Sequence, residues 1–153
     1  MKKILVLSLL LFAPFISAND VTFSSPEKVA VTLKLEDIQS LPETTYTTEL
    51  PWDKGLAEFT GVTLSALLTH VYGRIPEKVD ISGLNNYHAV VSREDIVRYQ
   101  PILAYKKDKH YLKIRNKGPY WVVYPLNLYP ELNLTKYHAQ MVWQVNEFKL
   151  VQE

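Results

Sequence analysis

Cysteine is absent from the whole chain. That removes disulfides, thiol nucleophiles, thiolate metal ligands and iron–sulfur ligation, so the fold stands on its apolar core alone. Glycine is scarce, with five residues in 153. A phosphate cradle needs several glycines at fixed offsets, and no G-x-G-x-x-G, Walker or G-x-S-x-G pattern occurs. Neither charge sign dominates. Setting aside Lys2 and Lys3 of the N-terminal segment, 15 of the 17 basic residues face 16 acidic ones. This balance offers nothing to draw nucleic acid or an anionic membrane. The four histidines, His70, His88, His110 and His138, are scattered without metal-ligand spacing and read as ordinary surface or edge residues. No pair of carboxylates has a spacing that suggests acid–base catalysis.

Long apolar runs are missing except at the start. Met1-Lys2-Lys3 precedes a continuous apolar run over residues 4–15, followed by the small-residue site Ile16-Ser17-Ala18. A run of that length is shorter than the roughly 20 residues of a membrane-spanning helix. It reads as a secretory signal peptide over residues 1–18, cut after Ala18. The expectation is a periplasmic chain, residues 19–153, without direct membrane insertion and forming one domain.

Beyond Ala18 the chain is rich in strand signals. Residues 29–35 alternate with period two, and residues 44–50 are β-rich. Residues 36–41 make a helical turn ended by Pro42, and Pro51-Trp52-Asp53-Lys54-Gly55 is punctuated as a loop. The spacing of Leu64, Leu67, Leu68 and Val71 predicts a helix over 62–72, with Thr63 as cap and Gly73 as stop. Strands are expected at 78–81 and 87–91 around a turn, then a short helix from Ser92 to near Tyr99. Two further strands flank a water-facing turn at Lys106-Lys107-Asp108-Lys109, and a last strand covers 148–151. The class is α+β: one mixed, mostly β domain.

Aromatic side chains are the conspicuous surplus: three tryptophans and ten tyrosines. The stretch GPYWVVYP, residues 118–125, holds three rings. Period two puts Tyr120, Val122 and Tyr124 on one face and Trp121 and Val123 on the other, so one face fills the core while Tyr124 borders a cleft. Rings beside carboxamides and carboxylates suit a planar, nitrogen-rich heterocycle, stacked on its faces and read along its edge.

Five blocks in order, PWDKGLAEFTGVTLSALL, GLNNYHAVVSREDI, ILAYKKD, KGPYWVVYP and VWQVNEFKL, resemble the molybdopterin-binding domain of the sulfite oxidase family, in its small standalone bacterial members. The resemblance spans residues 29–150 and implies that family's mixed α+β fold. The departures are informative. The family's molybdenum-ligating cysteine falls in the segment that here reads Thr44-Thr45-Tyr46-Thr47-Thr48-Glu49-Leu50. Basic positions of the enzymes are occupied by Trp121 and Val142. The resemblance is then to cysteine-less periplasmic pterin-binding regulators of the PruR type. It implies a non-catalytic protein that binds a reduced pterin without molybdenum. Such a protein signals to the periplasmic region of an inner-membrane diguanylate cyclase/phosphodiesterase, controlling cyclic di-GMP and biofilm formation.

Carried over residue by residue, Trp52, Tyr124 and Trp143 are stacking or wall residues. Asn85 and Tyr87 occupy an N-x-Y triplet whose middle position is Asn86. Asp53 and Glu58 are both candidates for the carboxylate that reads the pterin edge. Tyr87 and Trp121 are equally placed to be core. Two other readings stand beside this one: a molybdopterin-dependent oxidoreductase, and an interaction module without a small ligand.

Overall fold

The computed structural model describes residues 19–151; the signal-peptide expectation for residues 1–18 lies outside them. Among the described residues, ten strands are interspersed with four α-helices and two short 3-10 turns. β1 (Val21–Ser25) and β2 (Lys28–Leu33) form a hairpin, α1 (Leu35–Gln39) comes after it, and β3 (Glu43–Glu49) and β4 (Leu56–Thr63) flank the Pro51 loop. α2 (Leu64–Tyr72), β5 (Lys78–Gly83), β6 (His88–Ser92) and α3 (Arg93–Tyr99) come next. β7 (Ile102–Lys107), β8 (His110–Tyr111), β9 (Trp121–Val123), α4 (Thr135–Gln140) and β10 (Val145–Leu150) complete the order.

The strands make two five-stranded sheets. One runs β2-β1-β10-β5-β6; the other runs β3-β4-β7-β8, with β9 also paired to β7. β10 lies parallel to β1 and antiparallel to β5, so the last strand joins the first hairpin to the β5–β6 hairpin. Phe23 of β1 and Phe148 of β10 are register partners, and their rings stack at 5.0 Å. Residues of both sheets share one buried cluster.

Local chemistry explains the best-defined helix. The Thr63 hydroxyl accepts from the Ala66 N–H at the α2 N-terminus, and Gly73 closes the helix at φ +73°. A left-handed closing residue suits glycine because it has no Cβ to clash. Leu64, Leu67 and Leu68 are buried on one face, each worth roughly 1.5–3 kcal/mol of transfer free energy. α2 packs on β4, while α3 and α4 lie against β6. Val62, expected in the helix, belongs to β4, which runs straight into the Thr63 cap.

The stretch around β9 departs from its expected alternation. Tyr120, Trp121, Val122, Val123 and Tyr124 are all at most 1% exposed. The strand is three residues long and interior on both faces, so period two separates two packed environments rather than core from cleft.

Candidate functional site

An apolar cleft of about 310 Å³ opens between the Pro51 loop, the β5–β6 turn, α4 and the segment entering β10. It gathers four residues singled out by the sequence: Trp52, Asn85, Tyr87 and Trp143. Each is held by different physics.

Trp52 is 39% exposed and sits at the mouth. Its ring meets Trp143 at 5.6 Å, His138 at 5.9 Å and the buried Trp121 at 6.1 Å, with the first two contacts edge-to-face. Its neighbour Asp53 pins the loop. The Asp53 carboxylate accepts from the Lys107 ammonium at 3.0 Å and lies 3.7 Å from that of Lys117. The Asp53 N–H donates to the Leu50 carbonyl.

Trp143 is half-buried behind the mouth. Its backbone forms an isolated bridge with Trp121. The indole of Trp121 donates to the Met141 carbonyl at 3.2 Å. The Lys117 ammonium lies 4.8 Å from the Trp121 ring centre and 5.6 Å from that of Trp143, a cation–π arrangement. Gly83 lets the β5 backbone approach: a Cβ there would stand 2.5 Å from the Trp143 carbonyl oxygen.

Asn85 and Tyr87 shape the far wall. The Asn85 side-chain oxygen accepts from the Tyr87 N–H at 3.1 Å, closing the β5–β6 turn. The Tyr87 hydroxyl donates to the Ala139 carbonyl at 2.7 Å, tying that turn to α4. Thr135, His138 and Ala139, at i, i+3 and i+4 on α4, line the cleft, and Met141 supplies adaptable apolar surface.

Three expected site residues lie elsewhere. Tyr124 is fully buried; its hydroxyl donates to the Gln140 side chain at 2.8 Å, and Gln140 donates onward to the Val90 carbonyl. Burial, with Asp95 nearby, pushes its phenol pKa well up. Asp53 faces a groove of about 520 Å³ whose lining includes Lys107, Lys113, Arg115 and Lys117, where its charge is already paired. Glu58 is on β4, and its N–H donates to the Asp108 carboxylate; it does not line the cleft. Lys107, expected to face water, is the residue that clamps Asp53.

His138 was missed. It reads as a surface histidine, yet its Nε2 is buried and without a hydrogen-bond partner. α4 has no capping side chain and only six residues, so nothing local announces the helix that turns His138 inward.

Cleft and chain together define a mixed α+β domain with an aromatic-walled, non-acidic cavity. Its fold is sulfite oxidase-like. The structure is similar to the sulfane dehydrogenase SoxCD from Paracoccus pantotrophus, with a TM-score of 0.67 at 18% identity. The similarity covers 92% of this chain and spans 40% of that one. No family model matches the sequence, and no curated protein matches it.

A thiolate-bound molybdenum centre does not fit these residues. The chain has no cysteine. The segment where the resemblance puts that ligand carries a buried Thr48 whose hydroxyl donates to Asn127 at 3.0 Å.

Proposed function

We propose that this protein is a non-catalytic binding protein for a reduced pterin, exported to the periplasm. It relays pterin availability to the periplasmic region of an inner-membrane diguanylate cyclase/phosphodiesterase and so regulates biofilm formation. One observation supports the ligand half of this reading: Trp52 and Trp143, expected to stack, and the Asn85–Tyr87 pair, all from separate sequence blocks, line one cavity, while Asp53, Glu58 and Tyr124 lie outside it. Small-molecule sites run from roughly 300 to 1,000 Å³ and are mostly apolar with few polar groups. At about 310 Å³ the cleft suits a bicyclic ring rather than an extended nucleotide. Trp52 and Trp143 meet edge-to-face at 5.6 Å, and a flat guest that stacked on either indole would gain ring contact. The relay half rests on the resemblance of the five sequence blocks.

The test is direct. Protein purified under reducing, anaerobic conditions is examined for pterin fluorescence and molybdenum, then titrated with tetrahydropterin while tryptophan emission is followed. Saturable quenching with a one-to-one endpoint and no molybdenum supports the proposal. Flat emission, or stoichiometric molybdenum, overturns it. Copurification of the membrane enzyme's periplasmic region, with and without pterin, tests the relay.

A further inference from the structure

The near-neutral chain divides its charge unevenly. Residues 106–117 hold six of the 15 basic residues beyond the N-terminal segment and one of the 16 acidic ones, Asp108. That segment folds into the end of β7, a hairpin turn, β8 and the 3-10 turn Ile114–Asn116, and it lines the groove of about 520 Å³ beside the Pro51 loop. Lys107, His110, Lys113, Arg115 and Lys117 face this groove, together with the rings of Tyr111 and Trp121. Its two carboxylates are already engaged. Asp53 is held by Lys107 and Lys117, and Asp108 accepts from the Glu58 N–H at 3.0 Å. Among the described residues, no ion pair neutralises Lys113 or Arg115. Two other grooves of similar size show the contrast: Arg74 in one is matched by Glu27 and Glu77, and the other holds Glu49 and Asp53 without a cation. Lys109 in the hairpin turn and Lys117 after the 3-10 turn both take φ +66°, a conformation that glycine adopts at less cost.

We infer that this groove docks an acidic segment of a partner protein. Cations gathered on a concave surface focus the field, draw in negative charge and set the orientation of docking. Tyrosine and arginine are enriched at protein interfaces, and the half-exposed Tyr111 and Arg115 supply both here. A lone phosphate suits the groove less well, because the cations are strung over two turns and no glycine-rich loop aims backbone N–H groups at one point. A flat anionic bilayer cannot enter a concave surface, and the chain outside residues 106–117 would repel it, with nine basic residues beyond the N-terminal segment against 15 acidic ones. An extended run of carboxylates can lie along the groove, meeting Lys113 and Arg115 while Tyr111 packs against it. The groove shares no lining residue with the apolar cleft, so this docking face does not depend on the pterin reading.

The test titrates the protein into fluorescein-labelled hexaglutamate and follows anisotropy, with labelled hexaglutamine and phosphatidylglycerol vesicles as comparison probes. Two double variants carry the same change of net charge: Lys113→Glu with Arg115→Glu in the groove, and Lys28→Glu with Lys149→Glu on the other sheet. All four side chains are exposed, so neither pair disturbs the core, and circular dichroism checks the fold. Wild type is expected to bind hexaglutamate saturably, and about tenfold more weakly at about 300 mM NaCl than at about 20 mM. The groove variant should lose about tenfold in affinity while the other variant stays within about twofold of wild type. Equal losses in the two variants, equal binding of hexaglutamine, or binding of vesicles in preference to hexaglutamate overturns the inference. Wild type that does not bind hexaglutamate overturns it too, whatever the protein does with pterin.

Discussion

Trp52 and Trp121 are 6.1 Å apart, and replacing each by alanine should give opposite outcomes. Trp121 is 1% exposed, packs edge-to-face on Phe59 at 5.5 Å and donates to the Met141 carbonyl. Removing such a side chain costs about 3–5 kcal/mol, a large share of the roughly 5–15 kcal/mol that holds a domain together. Trp52 is 39% exposed and keeps only ring contacts. Aromatic pairs contribute about 0.5–1.5 kcal/mol, so Trp52→Ala should cost about 1–2 kcal/mol. At an m-value of about 2 kcal/mol/M, the urea midpoint falls by about 2 M for Trp121→Ala and by under about 1 M for Trp52→Ala. Binding should rank the other way. A flat heterocycle stacked on an aromatic ring gains about 1–3 kcal/mol, so folded Trp52→Ala should bind pterin roughly 5- to 150-fold more weakly. Urea unfolding by circular dichroism and pterin titration on the same samples decide it. Equal midpoint losses, or full affinity in Trp52→Ala, would refute the division into core and cleft indoles.

Gly83→Ala puts a methyl 2.5 Å from the Trp143 carbonyl. Relief of that clash should cost about 1–3 kcal/mol and break the Leu84 N–H to Gln144 carbonyl bond, read as lost amide protection at Leu84. Asp53→Asn leaves Lys107 and Lys117 without their shared counter-charge. With side chains only partly screened, a loss of about 1 kcal/mol is expected, accompanied by a red shift of tryptophan emission as the Trp52 loop loosens. Tyr72 is pushed up to about 12, first by burial and then by the Glu147 carboxylate, while its hydroxyl donates to the Ser24 and Phe148 carbonyls. A phenol whose folded pKa is raised stabilises fully below its unfolded value near 10. That contribution is lost as pH climbs from there through about 12. Urea midpoints should therefore drop over this window, and Tyr72→Phe should flatten the drop.

The fold was legible wherever one face met water or a cap closed an end. α2 declared itself by three leucines between Thr63 and Gly73, and the β5–β6 hairpin by its Asn-rich turn. β4 was hidden because it passes into α2 with no intervening loop, so no punctuation separates them. β1 and α4 went unread for a related reason: each is short, and what defines it is a partner far along the chain, β10 for β1 and β6 for α4. The site divides on the same line. Trp52, Asn85, Tyr87 and Trp143 sit at punctuated places, a Pro–Gly loop, a turn and the approach to a strand, where large rings stand out. Tyr124 looked similar, but its exposure depended on a neighbouring sheet that sequence periodicity does not report. His138 needed the path of α4, which is set by packing rather than by its own six residues.

The walls of the cleft are supported from three sides. Trp143 is braced by the β-bridge to Trp121, and Trp121 is rooted in the core against Phe59. Trp52 is steadied from the other side by Asp53, whose two lysine partners come from β7 and from the turn before β9. Tyr87 stitches the third wall to α4 through a backbone carbonyl. Each wall is thus fixed by backbone pairing, an ion pair or a buried ring. A flat guest entering the cleft would therefore meet walls that the fold has already organised.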